Sequence, residues 1–335
     1  MDPLSQGVVG SVAAQNSAQA KRLAIATLFG LIGGMAPDLD VFIRSETDPI
    51  FFLEYHRQFT HSLIFIPIGG LICALVLHAL IGRFRGLSFK QSALYTTAGY
   101  ATHALLDACT SYGTQLWWPF SNMRVAWSNM PIVDPIFTLP ILFLVIFAVI
   151  RKNPNYARAA LIWIVLYLGF GIVQRERAEQ AGWALAESRQ HSPGKVEVKP
   201  SFGNTLVWKV IYELEDRYYV DGVRVGLNAI IYPGRSIPKL DVKRDFPWLG
   251  EPQQSQQAKD IERFRWFSQG YLAVSPDNPL HIIDARYSML PNEVQGLWMI
   301  ELDPDAAADE HVQYIQQHKD ARAKAARLWE MLLGD

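Results

Sequence analysis

The feature that most constrains this chain is where its long apolar runs fall: all of them precede Gln174, and the rest alternates polar and apolar residues. A helix needs about 20 apolar residues to cross the hydrocarbon core of a membrane. Residues 62–81 meet that length with His78 as their one ionisable side chain. Residues 133–150 and 157–173 have similar character and are stopped by proline or charge. Two weaker stretches complete the set. Residues 23–36 are short, and residues 91–108 carry Tyr95, Thr96, Thr97, Tyr100, Thr102, His103 and Asp107, so both are expected to lie shielded by the other helices. The expected fold is a membrane all-α helical domain of about five transmembrane helices, residues 1–175, followed by a soluble α+β domain with a mainly antiparallel sheet, residues 176–335.

Composition narrows the function classes. A net charge of -1, with no Lys/Arg block interleaved with aromatics, argues against nucleic acid as a partner. Cys73 and Cys109 are the two cysteines, too few for a disulfide framework or a cysteine zinc cluster, so any metal must use nitrogen and oxygen ligands. Residues 1–19 lack the basic start, apolar core and small-residue cleavage site of a signal peptide, and insertion is expected to rely on the internal helices.

Basic residues cluster at Lys21 and Arg22, at Arg83, Arg85 and Lys90, and at Arg151, Lys152 and Arg158, which are alternate ends of five successive spans. The positive-inside rule makes those ends cytoplasmic. The opposite ends hold Asp38 and Asp40, His56 and His61, His103 and Asp107, and Asp134. Motifs scattered over about a hundred residues thus converge on one side, shared with the C-terminal unit, although Arg175 and Arg177 sit where the rule prefers no cation.

Each motif has a chemical reading and a plain one. Pro37-Asp38-Leu39-Asp40 can aim two carboxylates at one cation, or simply end a helix. His56 and His61 are five apart, which on one helix separates them by about 140°; they are expected to straddle a loop-to-helix junction capped by Thr60. His103 and Asp107, four apart, share one helix face and either bind one metal or lock helices together. A charged group inside a membrane helix costs roughly 2.5 to 3.5 kcal/mol, so it pairs, ligates or faces water. His78 lies about 25 Å along the helix from His61 at 1.5 Å per residue and cannot join the same site. His191, His281, His311 and His318 read as surface residues of the second unit. The aromatic run Trp117-Trp118-Pro119-Phe120 fits the headgroup level.

Several ordered blocks together carry a resemblance. They are Met1-Asp2-Pro3-Leu4-Ser5-Gln6, Pro37-Asp38-Leu39-Asp40, His56-Arg57-Gln58-Phe59-Thr60-His61-Ser62, His103-Ala104-Leu105-Leu106-Asp107, Tyr112 to Ser121, Trp127-Ser128-Asn129 and Val133-Asp134-Pro135. Over roughly the first 175 residues the chain resembles the YdjM-type family of bacterial inner-membrane, metal-dependent hydrolases. The resemblance implies a multi-pass protein of the bacterial inner membrane, and a more distant similarity to zinc-dependent phospholipase C and nuclease-like folds suggests phosphoester chemistry. Related families often carry a histidine where this chain has Gln6, so no N-terminal histidine ligand is implied.

The second unit reads as short strands at residues 196–198, 205–214, 227–232, 271–275, 281–289 and 296–301, with helices near 258–268 and 306–333. Asp221-Gly222 between two β-prone runs predicts a hairpin turn. The unit carries no metal or nucleophile signature, so it is expected to cover the site, recognise substrate or bind a partner protein.

Together these residues predict hydrolysis at the membrane surface. Asp38, Asp40, His56, His61, His103 and Asp107 are the expected metal ligands, with Asp38 and Asp107 in catalytic roles. One or two divalent ions, zinc or manganese, suit that donor mixture. A lipid or lipid-linked phosphoester is the expected substrate, with Arg57, Arg124 and Asp134 as its contacts. Two rivals stand beside this: a non-enzymatic receptor or adaptor with a structural metal, and a transporter, whose ionisable residues would extend through the bilayer.

Overall fold

The computed structural model describes residues 1–250, 255–317 and 320–334. His318 lies outside them. The chain forms two compact units, one of Met1–Ile43, Tyr55–Val173 and Phe202–Asn204, the other of Arg44–Glu54, Gln174–Ser201 and Thr205–Asp335.

The first unit is helical: α1 (Pro3–Asn16), α2 (Leu23–Met35), α3 (Ile66–Leu77), α4 (Phe89–Ala108), α5 (Pro135–Arg151) and the start of α6 (Asn155–Ser188). Asp2 caps α1 by accepting from the Ser5 amide at 3.0 Å, and Pro3 opens it. Ser88 and Gln91 form a capping box on α4, and Asp134 caps α5 through the amides of Ile136 and Phe137. Small residues set the crossings. A Cβ on Gly30 would lie 2.4 Å from Gly10 O, and one on Gly99 2.3 Å from Gly30 O, so α1, α2 and α4 meet backbone to backbone.

Three stretches are long and apolar enough to cross a membrane: Ala20–Phe42, Leu63–Arg85 and Asn155–Ser188. The expected five therefore become about three. Pro135–Arg151 has 17 residues, about 25 Å of helix against a core of about 30 Å. Phe89–Ala108 has 20 residues, but its lysine, hydroxyls, His103 and Asp107 make it too polar, and much of it is buried. Helix α1 went unread as structure because Ser5, Gln6, Gly7, Gly10 and Ser11 break up its apolar pattern; inside the bundle those same residues are buried.

In the second unit, β1 (Val196–Pro200), β2 (Val207–Leu214), β3 (Arg217–Val225) and β4 (Ala229–Pro238) form one antiparallel sheet in sequential order. A second antiparallel sheet contains β5 (Leu272–Val274), β6 (His281–Asp284), β7 (Trp298–Glu301) and β8 (Gln313–Gln316). Ala178 and Ala186 of α6 pack on one face of the first sheet with Val196, Trp208 and Val223, while Ile211, Val220, Ala273, Ile283 and Met299 form a core common to both sheets. Antiparallel pairing was expected; division into two sheets was not.

Two local expectations fail. Asp221-Gly222 makes no hairpin: it lies inside β3 at a register shift, where the buried Asp221 carboxylate takes both terminal nitrogens of Arg189 at 2.6 and 2.8 Å and the Gly234 amide at 2.9 Å. These partners outweigh the local turn preference. The C-terminal helix is Ala321–Leu333 and shorter than expected, because Gln313–Gln316 pairs with β7 as an edge strand.

Candidate metal centre

Pro37 opens a 3-10 segment, Ala36–Phe42, at the end of α2, and this turn presents Asp38 and Asp40. His61 comes from another 3-10 turn, Phe59–His61, before α3. Thr60 does not cap it; its hydroxyl donates to Asp40 Oδ2 at 2.7 Å. His103 and Asp107 lie one turn apart on α4. Asp38, His61, His103 and Asp107 each place one ligand-type atom so that all four lie within 4.8 Å of one another, and Asp38, Asp40 and His56 form a second group that shares Asp38.

The hydrogen bonds around the rings decide which atoms face inward. His103 Nδ1 meets Gly34 O at 2.5 Å and so must carry its proton there, leaving Nε2 with a lone pair. His61 Nδ1 meets Thr60 Oγ1 at 2.9 Å and Asp40 Oδ2 at 3.2 Å, which fixes its donor side likewise. The two Nε2 atoms then oppose each other at 2.9 Å. Two lone pairs cannot stay so close, so either a cation lies between them or His61, charged by its carboxylate neighbours, donates a proton to His103. Asp38 Oδ1 is 3.4 and 3.3 Å from these nitrogens, and Asp107 Oδ2 is 3.4 and 3.7 Å away. Asp107 Oδ2 has no hydrogen-bond partner, although Arg57 Nε lies 3.1 Å from it.

Burial of the His61 ring disfavours its charged form, yet the carboxylates of Asp107, Asp38 and Asp40 outweigh this and push its pKa up to about 10. Burial holds the pKa of His56 below its ordinary value, against the pull of Asp40. His61, His103 and Asp107 are fully buried, and Asp38, 24% exposed, is where the group opens outward. A donor set of two imidazoles and two carboxylates, with ring tautomers set from behind, fits a divalent ion.

Asp40 is differently placed. Its oxygens accept from the Arg57 amide at 3.0 Å and Thr60 Oγ1 at 2.7 Å and meet His56 Nδ1 at 2.7 Å, besides the contact with His61. Arg57 has a left-handed backbone, φ 65°, and its guanidinium stacks on Tyr112 at 4.9 Å. A non-glycine residue there is uncommon and recurs at functional sites. Arg124 donates to Gly113 O at 3.0 Å in the loop after α4. Asp134 is occupied by its cap and by the Tyr167 hydroxyl at 2.6 Å. His78 meets Ser92 Oγ at 3.0 Å.

Gln6 was read from the sequence only as a missing histidine. Its side chain is fully buried, and its Nε2 donates to Asp107 Oδ1 at 2.9 Å while Oε1 has no hydrogen-bond partner. The Met1 amine also donates to Asp107 Oδ1. The signal that could have found Gln6 is its position on a helix of small residues, the kind that packs at close crossings. Among the described residues no further group of histidines and carboxylates converges this closely.

No solved structure matches the chain. It is similar to an uncharacterized protein YfhP of Bacillus subtilis, 30% identical over 128 residues that cover 38% of this chain and 36% of that one. It is also similar to the inner membrane protein YbcI of Escherichia coli, 35% identical over 99 residues, 28% of this chain and 54% of the relative. The chain thus spans between about a third and about a half of the length of these curated relatives. The model of the YdjM inner membrane protein family matches residues 1–178, the part that carries the apolar helices and the whole His/Asp group, and this chain belongs to that family.

Proposed function

We propose that the protein is a membrane-embedded, metal-dependent hydrolase acting on a lipid or lipid-linked phosphoester. The observation that carries this reading is the opposed pair of Nε2 atoms of His61 and His103 flanked by Asp38 and Asp107. These four side chains would hold a divalent ion, zinc or manganese by donor type, and Asp38, Asp40 and His56 offer a place for a second. Such an ion, when bound, supplies an activated water and polarises the scissile group. Asp40 holds His61 and His56 in orientation. Asp38, the one partly exposed carboxylate of the four, would face the water and substrate, and Asp107 is anchored by Arg57 and Gln6. Arg57, paired with Asp107, and Arg124, which donates to Gly113 O, are the cations proposed to meet a phosphate oxygen. Asp134 has both oxygens committed to its cap and Tyr167 and takes no part.

Exposed Leu39 and Phe42 beside the two aspartates, and exposed Trp117 and Phe120, support a site at headgroup level. The clusters of basic residues away from the motifs support a non-cytoplasmic, periplasmic placement of the site and the C-terminal unit.

The test is to purify the full chain in detergent, measure bound metal, and compare it with His61→Ala and Asp107→Ala on a panel of phospholipids and phosphoesters. Loss of metal and of turnover in both variants is expected; unchanged metal in both overturns the reading. The full burial of His61, His103 and Asp107 favours a second reading, a receptor or adaptor with a structural metal, in which metal binds and every substrate on the panel stays intact.

A further inference from the structure

The stretch between the two ligand motifs does not fold with the helices that carry them. Residues Arg44–Glu54 belong to the second unit. There Ile50 and Leu53 are buried, and the Phe52 ring stands edge-on to Tyr314 at 5.0 Å. One side chain holds both ends of the stretch. Arg263 reaches Asp48 through its two terminal nitrogens at 3.1 and 2.7 Å, and Glu54 Oε1 through Nε at 2.5 Å. Arg263 is itself fixed by Asp260 at 2.9 Å, whose other oxygen meets His311 Nδ1 at 2.8 Å.

Glu54 is two residues before His56, and Asp48 is eight after Asp40. A free connection of this length would leave the partners at its ends to find each other against loop entropy. With Asp48 and Glu54 tied to one side chain, the free part of the connection is shorter and the contact of His56 Nδ1 with Asp40, 2.7 Å long, costs less loop entropy; Asp40 in turn orients His61.

We propose that Arg263 is a positioning residue for the metal centre: by tying Asp48 to Glu54 it shortens the free connection between the Asp38/Asp40 turn and the His56/His61 segment. This rests on the metal-centre reading above.

The experiment titrates the full chain in detergent micelles with zinc alone, in competition with a chromophoric chelator, and follows amide exchange across residues 44–56. Arg263→Ala is expected to weaken zinc binding by about tenfold or more, the effect usual for groups that orient ligands, and to speed exchange in that stretch. Arg263→Lys, which keeps the charge but not the fork, falls between the two. Faster exchange or a lower Tm with wild-type zinc affinity makes the clamp merely structural and overturns the proposal. Asp48→Asn with Glu54→Gln, which loosens the same clamp with little change of shape, gives the same decision where Arg263→Ala does not fold. Wild type and His61→Ala with equal zinc binding overturn the metal-centre reading and this inference together; loss in His61→Ala alone overturns only this one.

Discussion

Both units bury arginine with aspartate, but the partners are arranged to opposite ends. In the second unit Arg286 and Asp284 are fully buried and share a fork at 2.6 to 3.2 Å, and the remaining donors of Arg286 go to Phe267 O and Gln269 Oε1. Each polar atom has its complement, and the cluster is closed. In the first unit His61 and His103 turn Nε2 atoms toward each other, Asp107 Oδ2 has an ion-pair neighbour but no hydrogen bond, and Gln6 Oε1 has no hydrogen bond. Saturation marks a cluster that holds a fold; convergence without saturation marks one that holds something else.

The contrast can be broken most forcefully from the closed side. Arg286→Ala leaves Asp284 buried without its partner and is expected to destabilise the second unit by about 3 to 5 kcal/mol, read as a lower denaturation midpoint, with metal content per folded chain unchanged. A loss of metal there would erase the distinction. On the open side, His103→Ala is expected to weaken metal binding about 100-fold or more, about 2.7 kcal/mol, measured by chelator competition. Its effect on unfolding should be smaller than that of Arg286→Ala, because the ring contributes one bond to Gly34 O.

A finer distinction concerns Lys209, where burial pushes the pKa down to about 7 even though its Nζ donates to Ser288 Oγ and Glu293 O at 2.8 Å each. The folded-state pKa lies below the unfolded value, so between about pH 7 and 10 the unfolded chain binds more protons and stability rises with pH, by up to about 1.4 kcal/mol per unit. Lys209→Met should flatten that slope in unfolding curves collected across the range. An unchanged slope would show that the lysine stays charged and that its two bonds saturate it as fully as Asp284 saturates Arg286.

Much of the site was legible because its residues sit at spacings with few geometric meanings. His103 and Asp107 share a helix face whatever surrounds them, and Pro37-Asp38-Leu39-Asp40 ends a helix with carboxylates. Three-dimensional accidents of packing were not legible. Only the small residues around Gln6 hint that α1 delivers an amide to Asp107, and the left-handed backbone at Arg57 follows from contacts made on both sides of it. The span count failed for two reasons: α4 is long enough but polar and largely buried among its neighbours, whereas α5 is apolar and exposed but, at 17 residues, short. Asp221-Gly222 failed because its carboxylate answers to Arg189, which is distant in sequence.

The crossing of α1, α2 and α4 has a further consequence. Gly30 touches the backbone at Gly10 and Gly99, and one turn further along the same two helices Gly34 O receives the ring of His103. A contact made of main chain has no rotamers to exchange, so the ligand inherits the stiffness of the helices and not the plasticity of a side-chain core. A ligand held in this way would resist the change of position that an ion of another radius asks of it. Enlarging Gly30 or Gly99 by a methyl group would therefore alter which ion is preferred as well as how tightly any ion is held.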